Sequence, residues 1–267
     1  MKFNHFILIF LLIVLSCSNN ISLAKKNFSG VFKNSKGDIV QLSRGSRDLE
    51  YIDFISYFNE LKILSFDGKY LKDLNPLSKL INLEYLDLGI MDYVLDISFL
   101  SNLENLKDFS IIGSRITDIT PIGHLVNLEE LSFSSSEITD ISPLANCKKL
   151  KILGLQRCYK LSDITAVGEL ENLEHLEITY ADALVDIRPI GKLKKLKYLS
   201  LTGCKKVFNI AALQNCQLLE EMHMGQGDDL NQIYIIKNMK KLKRISGINS
   251  KSWDIVKIIR PDLHSGY

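Results

Sequence analysis

Apolar residues recur along most of this chain with a period of 22 or 23 residues. Each full period begins with a leucine that is followed by apolar residues three and five positions later, at Leu61, Leu83, Leu106, Leu128, Leu150, Leu173, Leu196 and Leu219, and Leu242 begins an incomplete ninth period. This alternation over six positions predicts a short strand. Successive side chains of a strand point to opposite faces, so the leucines face an interior and the residues between them face outward.

The second half of each period predicts a turn and a short helical segment. An acidic residue precedes an Ile or Leu there, at Asp73, Asp96, Asp118, Asp140, Asp163 and Asp186. Four of the five prolines, Pro76, Pro121, Pro143 and Pro189, stand three residues after such an aspartate. Proline is favoured in the first turn of a helix, and the residue before it, such as Asn75, Thr120 or Ser142, is expected to cap the free N–H groups.

Self-similarity over roughly 20–29 residues with the spacing L-x-x-L-x-L is the signature of leucine-rich repeats. The predicted fold is an α/β solenoid, a leucine-rich repeat horseshoe with a parallel concave β-sheet and short helical or 3-10 turns on the convex side. Residues 61–241 supply eight repeats. Residues 25–60, with a hairpin around 34–37, are predicted as the N-terminal cap, and residues 242–267 as a partial ninth repeat and C-terminal cap that includes Trp253.

Two segments, ITDITPIGHLVNLEELSF (116–133) and ITDISPLANCKKLKILGL (138–155), carry a resemblance to a known family. They resemble the internalin-like class of bacterial leucine-rich repeat proteins. The resemblance implies a surface or secreted binding protein that recognises a protein partner with its concave face.

The first 16 residues predict a signal peptide. Residues 6–15 form an apolar run that is too short to span a bilayer but suits the centre of an export signal. Residues 14–17, Val-Leu-Ser-Cys, resemble a bacterial lipobox, in which cleavage before Cys17 is followed by lipidation of that cysteine. The alternative is ordinary cleavage after Ala24, where residues 22–24 have the small-x-small pattern.

Charge and cysteine content exclude some classes of function. The chain has 33 basic and 31 acidic residues, a balance that gives no indication of nucleic-acid binding. Neighbouring strands lie about 4.8 Å apart, so Cys158 and Cys204, two repeats apart, are expected about 10 Å apart, beyond the reach of a disulfide. Cys147 and Cys216 are three repeats apart, and all four cysteines are predicted to be small buried residues.

The second position of each repeat alternates in charge: Lys62, Glu84, Lys107, Glu129, Lys151, Glu174, Lys197, Glu220 and Lys243. Strands in register place these side chains next to one another, and opposite charges on adjacent strands attract. We interpret the series as an ion ladder that stabilises strand register. The alternative is a charged binding stripe.

The remaining outward positions change character along the chain. They are small or acidic in the first half and larger in the second half, where the predicted partner-binding residues are Arg157, His175, Glu177, Tyr180, Tyr198 and His223. Tyr and Arg are enriched among the residues that dominate binding energy. The alternative is a solvated sheet face. We expect no metal site, since His175 and His223 lie two strands apart, and no enzyme, since no catalytic motif occurs.

The sequence therefore predicts an exported, lipid-anchored module that binds a macromolecular partner, most simply a protein, and needs no cofactor. The alternative is a structural or regulatory component of the cell envelope that binds an endogenous protein. We expect a monomer, at the outer membrane or cell surface if Cys17 is lipidated and otherwise periplasmic or secreted.

Overall fold

The computed structural model describes residues 19–45, 49–135, 137–207, 209–225 and 232–265. Within them, twelve strands form one sheet in the order of the sequence. The strands are β1 (Phe28–Lys33), β2 (Ile39–Gly45), β3 (Ile63–Phe66), β4 (Tyr85–Ile90), β5 (Asp108–Ser114), β6 (Glu130–Ser135), β7 (Ile152–Gln156), β8 (His175–Thr179), β9 (Tyr198–Ser200), β10 (Glu221–His223), β11 (Arg244–Ser246) and β12 (His264–Ser265). β1 and β2 pair antiparallel, and the later neighbours pair parallel.

Short 3-10 helices lie opposite the strands. In the described part of the chain they are Asp53–Tyr57, Asn75–Lys79, Ser98–Asn102, Thr120–His124, Ser142–Asn146, Thr165–Glu169, Arg188–Lys192, Ala211–Asn215 and Ile233–Asn238. Four of these helices have a proline in their first turn, as predicted: Pro76, Pro121, Pro143 and Pro189. The predicted solenoid, with a parallel sheet on one side and 3-10 turns on the other, is confirmed.

The prediction of which residues cap these turns is wrong. Asn75, Thr120 and Ser142 do not cap with their side chains. The regular spacing of the acidic residues explains the difference, because the aspartate two residues earlier accepts the hydrogen bond from the N–H group instead. Bonds of 2.7–2.9 Å join Oδ1 of Asp73, Asp96, Asp118, Asp140, Asp163 and Asp186 to the N–H group two residues later, and Asn209 makes the same bond at 3.1 Å.

The strands begin later than the repeat pattern suggests. The leading leucine precedes the strand, because its N–H group closes the 3-10 corner instead of joining the sheet. In the second repeat, for example, the N–H group of Leu83 donates to the carbonyl of Leu80 at 2.9 Å, and β4 begins at Tyr85. The leading leucines are nevertheless fully buried, as is Leu86 in the strand itself.

The core is a set of buried columns that run through the stacked repeats. One column at the 3-10 corner consists of Leu80, Leu103, Leu125, Cys147, Leu170, Leu193, Cys216 and Met239. All four cysteines from 147 onwards are buried and free, as expected. Burial raises the pKa of the Cys147, Cys204 and Cys216 thiols to about 11, so these thiols are inert at neutral pH.

Both ends of the solenoid are covered. Residues 19–27 are helical (α1), and Ala24 in this helix is fully buried. At the other end α2 (Ser250–Ile259) begins at Asn249, whose Oδ1 accepts the N–H group of Ser252 at 2.8 Å. Trp253 is partly buried against the core. No helix in the described ranges has the length and apolar character needed to cross a bilayer.

Candidate functional site

Strand register decides which outward side chains are neighbours. His175, Tyr198, Glu221 and Arg244 are consecutive partners across β8 to β11. A second row lies two residues further along each strand. In it, Ser200 is the partner of both Glu177 and His223. The two rows cover the exposed face of the second half of the sheet.

An aromatic column stands on this face. The rings of His175 and Tyr198 are stacked, with centroids 4.0 Å apart and an interplanar angle of 7°. The ring of His223 lies 5.3 Å from that of Tyr198 at 44°. Burial is the main cause that lowers the pKa of His175 and raises the pKa of Tyr198, although Glu177 counteracts the shift at the histidine. Both side chains therefore favour their neutral forms.

The last ring of the column is held in place by hydrogen bonding. Nδ1 of His223 lies 2.6 Å from Oγ of Ser246, and its Nε2 lies 3.7 Å from Oε2 of Glu221. Glu221 in turn forms an ion pair with Arg244. This network of four residues fixes the carboxyl-terminal edge of the column.

Beside the column the sheet has a shallow depression of about 380 Å³. It is lined by Gln156, Arg157, Glu177, Thr179, Tyr180, Tyr198, Ser200, Thr202 and His223. Five of the six predicted partner-binding residues thus lie around one depression, and the sixth, His175, stacks on one of them. The prediction did not single out Thr179 and Ser200, which are buried hydroxyl residues of the floor. Their outward strand positions were the available signal, but small side chains at such positions do not indicate a contact with a partner.

Two residues of the rim have an unusual backbone. Arg157 and Tyr180 have φ angles of 56° and 54°, in the left-handed region that favours glycine. They directly follow the consecutive strands β7 and β8, and their N–H groups donate to the carbonyls of Thr179 and Thr202 at 2.9 Å. The next repeat has Gly203 at the same place, with φ 77°. A left-handed conformation disfavours a bulky residue by about 1–2 kcal/mol, and such strain is concentrated at functional sites.

The first half of the same face is acidic. Asp108 and Glu130 are direct partners across β5 and β6, and Asp87 lies on β4. Burial is the largest cause that raises the pKa of Asp108 to about 6, and repulsion by Glu130 and Asp87 adds to it. At neutral pH this carboxylate is therefore ionised, although its surroundings disfavour the charged form.

We predict that Asp108→Asn stabilises the protein at neutral pH. The folded-state pKa of about 6 lies above the ordinary value of 3.8, so the folded state binds the extra proton and its stability declines as pH rises between these values. The gain from the substitution should be absent near pH 4 and complete above pH 6. Because Asp108 is only partly buried, we expect only about 1 kcal/mol. Urea midpoints across this pH range measure it, and exposed Glu104→Gln is the control that should show no such trend.

The alternating charges at the second repeat position form separate groups. Glu84 contacts Lys62 at 2.9 Å and Lys107 at 2.7 Å, and these hydrogen bonds, with Lys107 first, lower the pKa of Glu84 to about 2. Further along, three pairs have N–O distances of 2.5 Å: Glu129–Lys151, Glu174–Lys197 and Glu220–Lys243. Over the described residues the predicted ion ladder is thus made of one triplet and three pairs, and each lysine of a pair contacts the carboxylate of the preceding repeat.

We expect Lys151→Glu to lower the urea midpoint at low salt. The substitution removes the partner of Glu129 and places a third carboxylate between Glu129 and Glu174. High salt should shrink the loss, since these groups are exposed and screened by ions. Lys205→Glu makes the same charge change at an exposed lysine without an ion pair in the described structure. Equal midpoints for the two variants at low salt would show that the pairs have no effect on stability.

Comparison with known proteins adds to this description. The family model for leucine-rich repeats (2 copies) matches residues 126–169. A comparison with curated proteins finds no significant match.

Several solved structures share the fold. Internalin C2 from Listeria monocytogenes is 24% identical with a TM-score of 0.57, and the match covers 76% of this chain and 90% of that one. The functional domain of InlJ from the same organism is 16% identical with a TM-score of 0.55, covering 78% and 48%. The ectodomain of the Arabidopsis receptor kinase HAESA, in complex with an IDA peptide hormone, is 19% identical with a TM-score of 0.64, covering 86% and 45%. The repeat match, the sheet topology and these similarities together identify the chain as a leucine-rich repeat solenoid with the fold seen in internalins.

Proposed function

We propose that this protein is an exported, lipid-anchored module that binds a protein partner through the concave face of β7 to β10. The single observation that carries the proposal is the depression beside the aromatic column. Arg157, Tyr180 and Tyr198 converge there with buried hydroxyl groups on the floor. Rigid aromatic side chains and arginine supply contact area and hydrogen bonds together, which is the composition of interface residues that dominate affinity.

The scaffold favours a macromolecular ligand over a small molecule. Leucine-rich repeat folds are generally non-catalytic modules for protein–protein interaction, and the similar HAESA ectodomain is in complex with a peptide hormone. The depression is open and polar, whereas small-molecule sites are usually enclosed and mostly apolar. A peptide or loop from a partner suits the extended face.

A capture experiment tests the proposal. The chain beginning at residue 17 is immobilised, incubated with envelope and surface extracts, and compared with Tyr198→Ala and Tyr85→Ala. We expect a protein that the wild type and Tyr85→Ala retain and that Tyr198→Ala loses. Equal retention by all three variants, or no retained protein, would contradict the proposed site. A partner from the envelope of the same cell would favour the structural or regulatory alternative over a surface interaction.

Packing of α1 supports cleavage before Cys17, which itself lies outside the described residues. Ala24 is fully buried and Asn20 is 8% exposed, and Ile21 packs against the core. Cleavage after Ala24 would remove these residues and uncover the first turns of the solenoid. Cleavage before Cys17 retains them and leaves the lipid at the end of the chain nearest the N-terminal cap.

We predict that Cys17→Ala abolishes acylation and releases the protein into the soluble fraction. Metabolic labelling with a fatty-acid analogue measures the first effect and membrane fractionation the second. The anchored form is rejected if wild type and variant are labelled equally, or if neither is labelled.

A further inference from the structure

The rim of the depression holds a cation, Arg157, that has no ion-pair partner among the described residues. Arg157 is the only basic residue among its lining residues other than His223, and Glu177 is the only carboxylate. Among the described residues neither one forms an ion pair within 4.0 Å, although they share the depression. Arg244, another arginine on the concave face, already forms an ion pair with Glu221. The guanidinium of Arg157 is thus available to a ligand.

The backbone holds Arg157 and its neighbour Tyr180 in place. Both residues follow the last residue of a strand and lie in the left-handed region, and both N–H groups are hydrogen-bonded to the next repeat. The directions of the two Cα–Cβ bonds at the rim are therefore determined by the sheet and not by a mobile loop.

Gly203 completes this arrangement by allowing close approach of the tyrosine ring. A β-carbon on Gly203 would lie 2.6 Å from Cδ1, 3.0 Å from Cε1 and 3.1 Å from Cγ of Tyr180. The ring therefore packs directly on the backbone of this glycine. Any larger residue would displace the ring from its present position beside Arg157.

We propose that Arg157 and Tyr180 form a clamp for an acidic side chain of the partner, and that Gly203 is the positioning residue of this clamp. This inference rests on the proposed function and names the chemistry of the partner segment as an acidic peptide. The planar guanidinium fork matches a carboxylate in two parallel hydrogen bonds, and the tyrosine hydroxyl can donate a third. Glu177 on the floor repels a second carboxylate, so the acidic group stays at the rim.

A displayed library of random dodecapeptides is the probe for this clamp. Selection on the wild type should enrich peptides with Asp or Glu at one position, and replacing that residue by its amide should weaken binding about tenfold or more. Arg157→Gln should cause a similar loss for the acidic peptide but almost none for the amide peptide. Such coupling in a double-mutant cycle is specific to the pair.

The role of Gly203 needs a readout that a general loss of stability does not change. Gly203→Ala should weaken binding of the acidic peptide in the wild-type background. It should have little further effect on binding in the Tyr180→Gly background, which keeps the backbone conformation. Additive losses would contradict the positioning role.

The outcomes separate this inference from the proposed function. Selected peptides that lose binding with Tyr198→Ala but show no acidic preference would leave the binding site in place and overturn the clamp. Binding of acidic peptides that is indifferent to Arg157→Gln would also overturn it. The absence of any enriched peptide would count against both proposals.

Discussion

Arg260→Met is expected to lower the free energy of unfolding by about 3 kcal/mol. The guanidinium of Arg260 donates to three backbone carbonyls at the end of the solenoid, those of Ile236 at 3.1 Å, Met239 at 2.9 Å and Leu242 at 2.8 Å. Its side chain is only 13% exposed. Methionine keeps the apolar stem but leaves these carbonyls without the charged donor. A single hydrogen bond to a charged group contributes roughly 1.5–3 kcal/mol, and three bonds from one guanidinium are not additive, so we expect the upper end of that range.

Arg188 is a matched control for Arg260, which caps the end of the solenoid. Arg188 pairs with Asp186 much as Arg260 pairs with Asp262, but its side chain is 86% exposed and has no backbone carbonyl partner in the described structure. Arg188→Met should therefore leave the urea midpoint nearly unchanged. Hydrogen exchange should show that Arg260→Met loosens β11 before β4, because repeats depend on their neighbours. Equal midpoints for the two variants would remove the capping role.

Tyr198→Ala should weaken binding of a captured partner by about 2 kcal/mol. The ring is the centre of the aromatic column, between His175 and His223, and lines the depression. The loss of stability should be smaller, below about 1 kcal/mol, because mainly the stack with His175 disappears. A drop in the free energy of unfolding as large as the drop in binding would make the effect structural.

Two substitutions of Tyr180 also distinguish an effect on binding from an effect on stability. Tyr180→Gly and Tyr180→Ala both remove the ring, but only glycine relieves the left-handed backbone. We expect both to weaken binding equally, and Tyr180→Gly to be more stable than Tyr180→Ala by about 1 kcal/mol. The same stability for both variants would mean that this backbone conformation carries no strain.

Most of the fold was predictable because its stabilising contacts are periodic in the sequence. Buried columns such as the one that contains Cys147 repeat every 22 or 23 residues, so one repeat predicts all the others. Arg260 was not predictable in this way, because its three carbonyl partners lie 18 to 24 residues away and only the folded end brings them together. Hydrogen bonds to backbone carbonyls leave no pattern of side-chain types in the sequence.

The candidate site was predictable to the level of the strand position. Side-chain size pointed to Tyr198 and Arg157, but the stacking with His175 depends on rotamers that the sequence does not specify. The left-handed backbone at Arg157 and Tyr180 carried one available signal, the glycine at the same place in the next repeat. The alternating charges predicted an ion ladder, but the sequence could not show that its members contact one another as one triplet and three pairs.

Calorimetric titration of the captured partner into wild type, Tyr198→Ala and Tyr85→Ala tests whether the partner binds the concave face of β7 to β10. Tyr85 lies in the same outward row as Tyr198, on β4, beyond Asp108 and Glu130. We expect a dissociation constant at least about tenfold higher for Tyr198→Ala and within about threefold of wild type for Tyr85→Ala. Wild-type affinity in Tyr198→Ala would contradict a binding site on the concave face of β7 to β10.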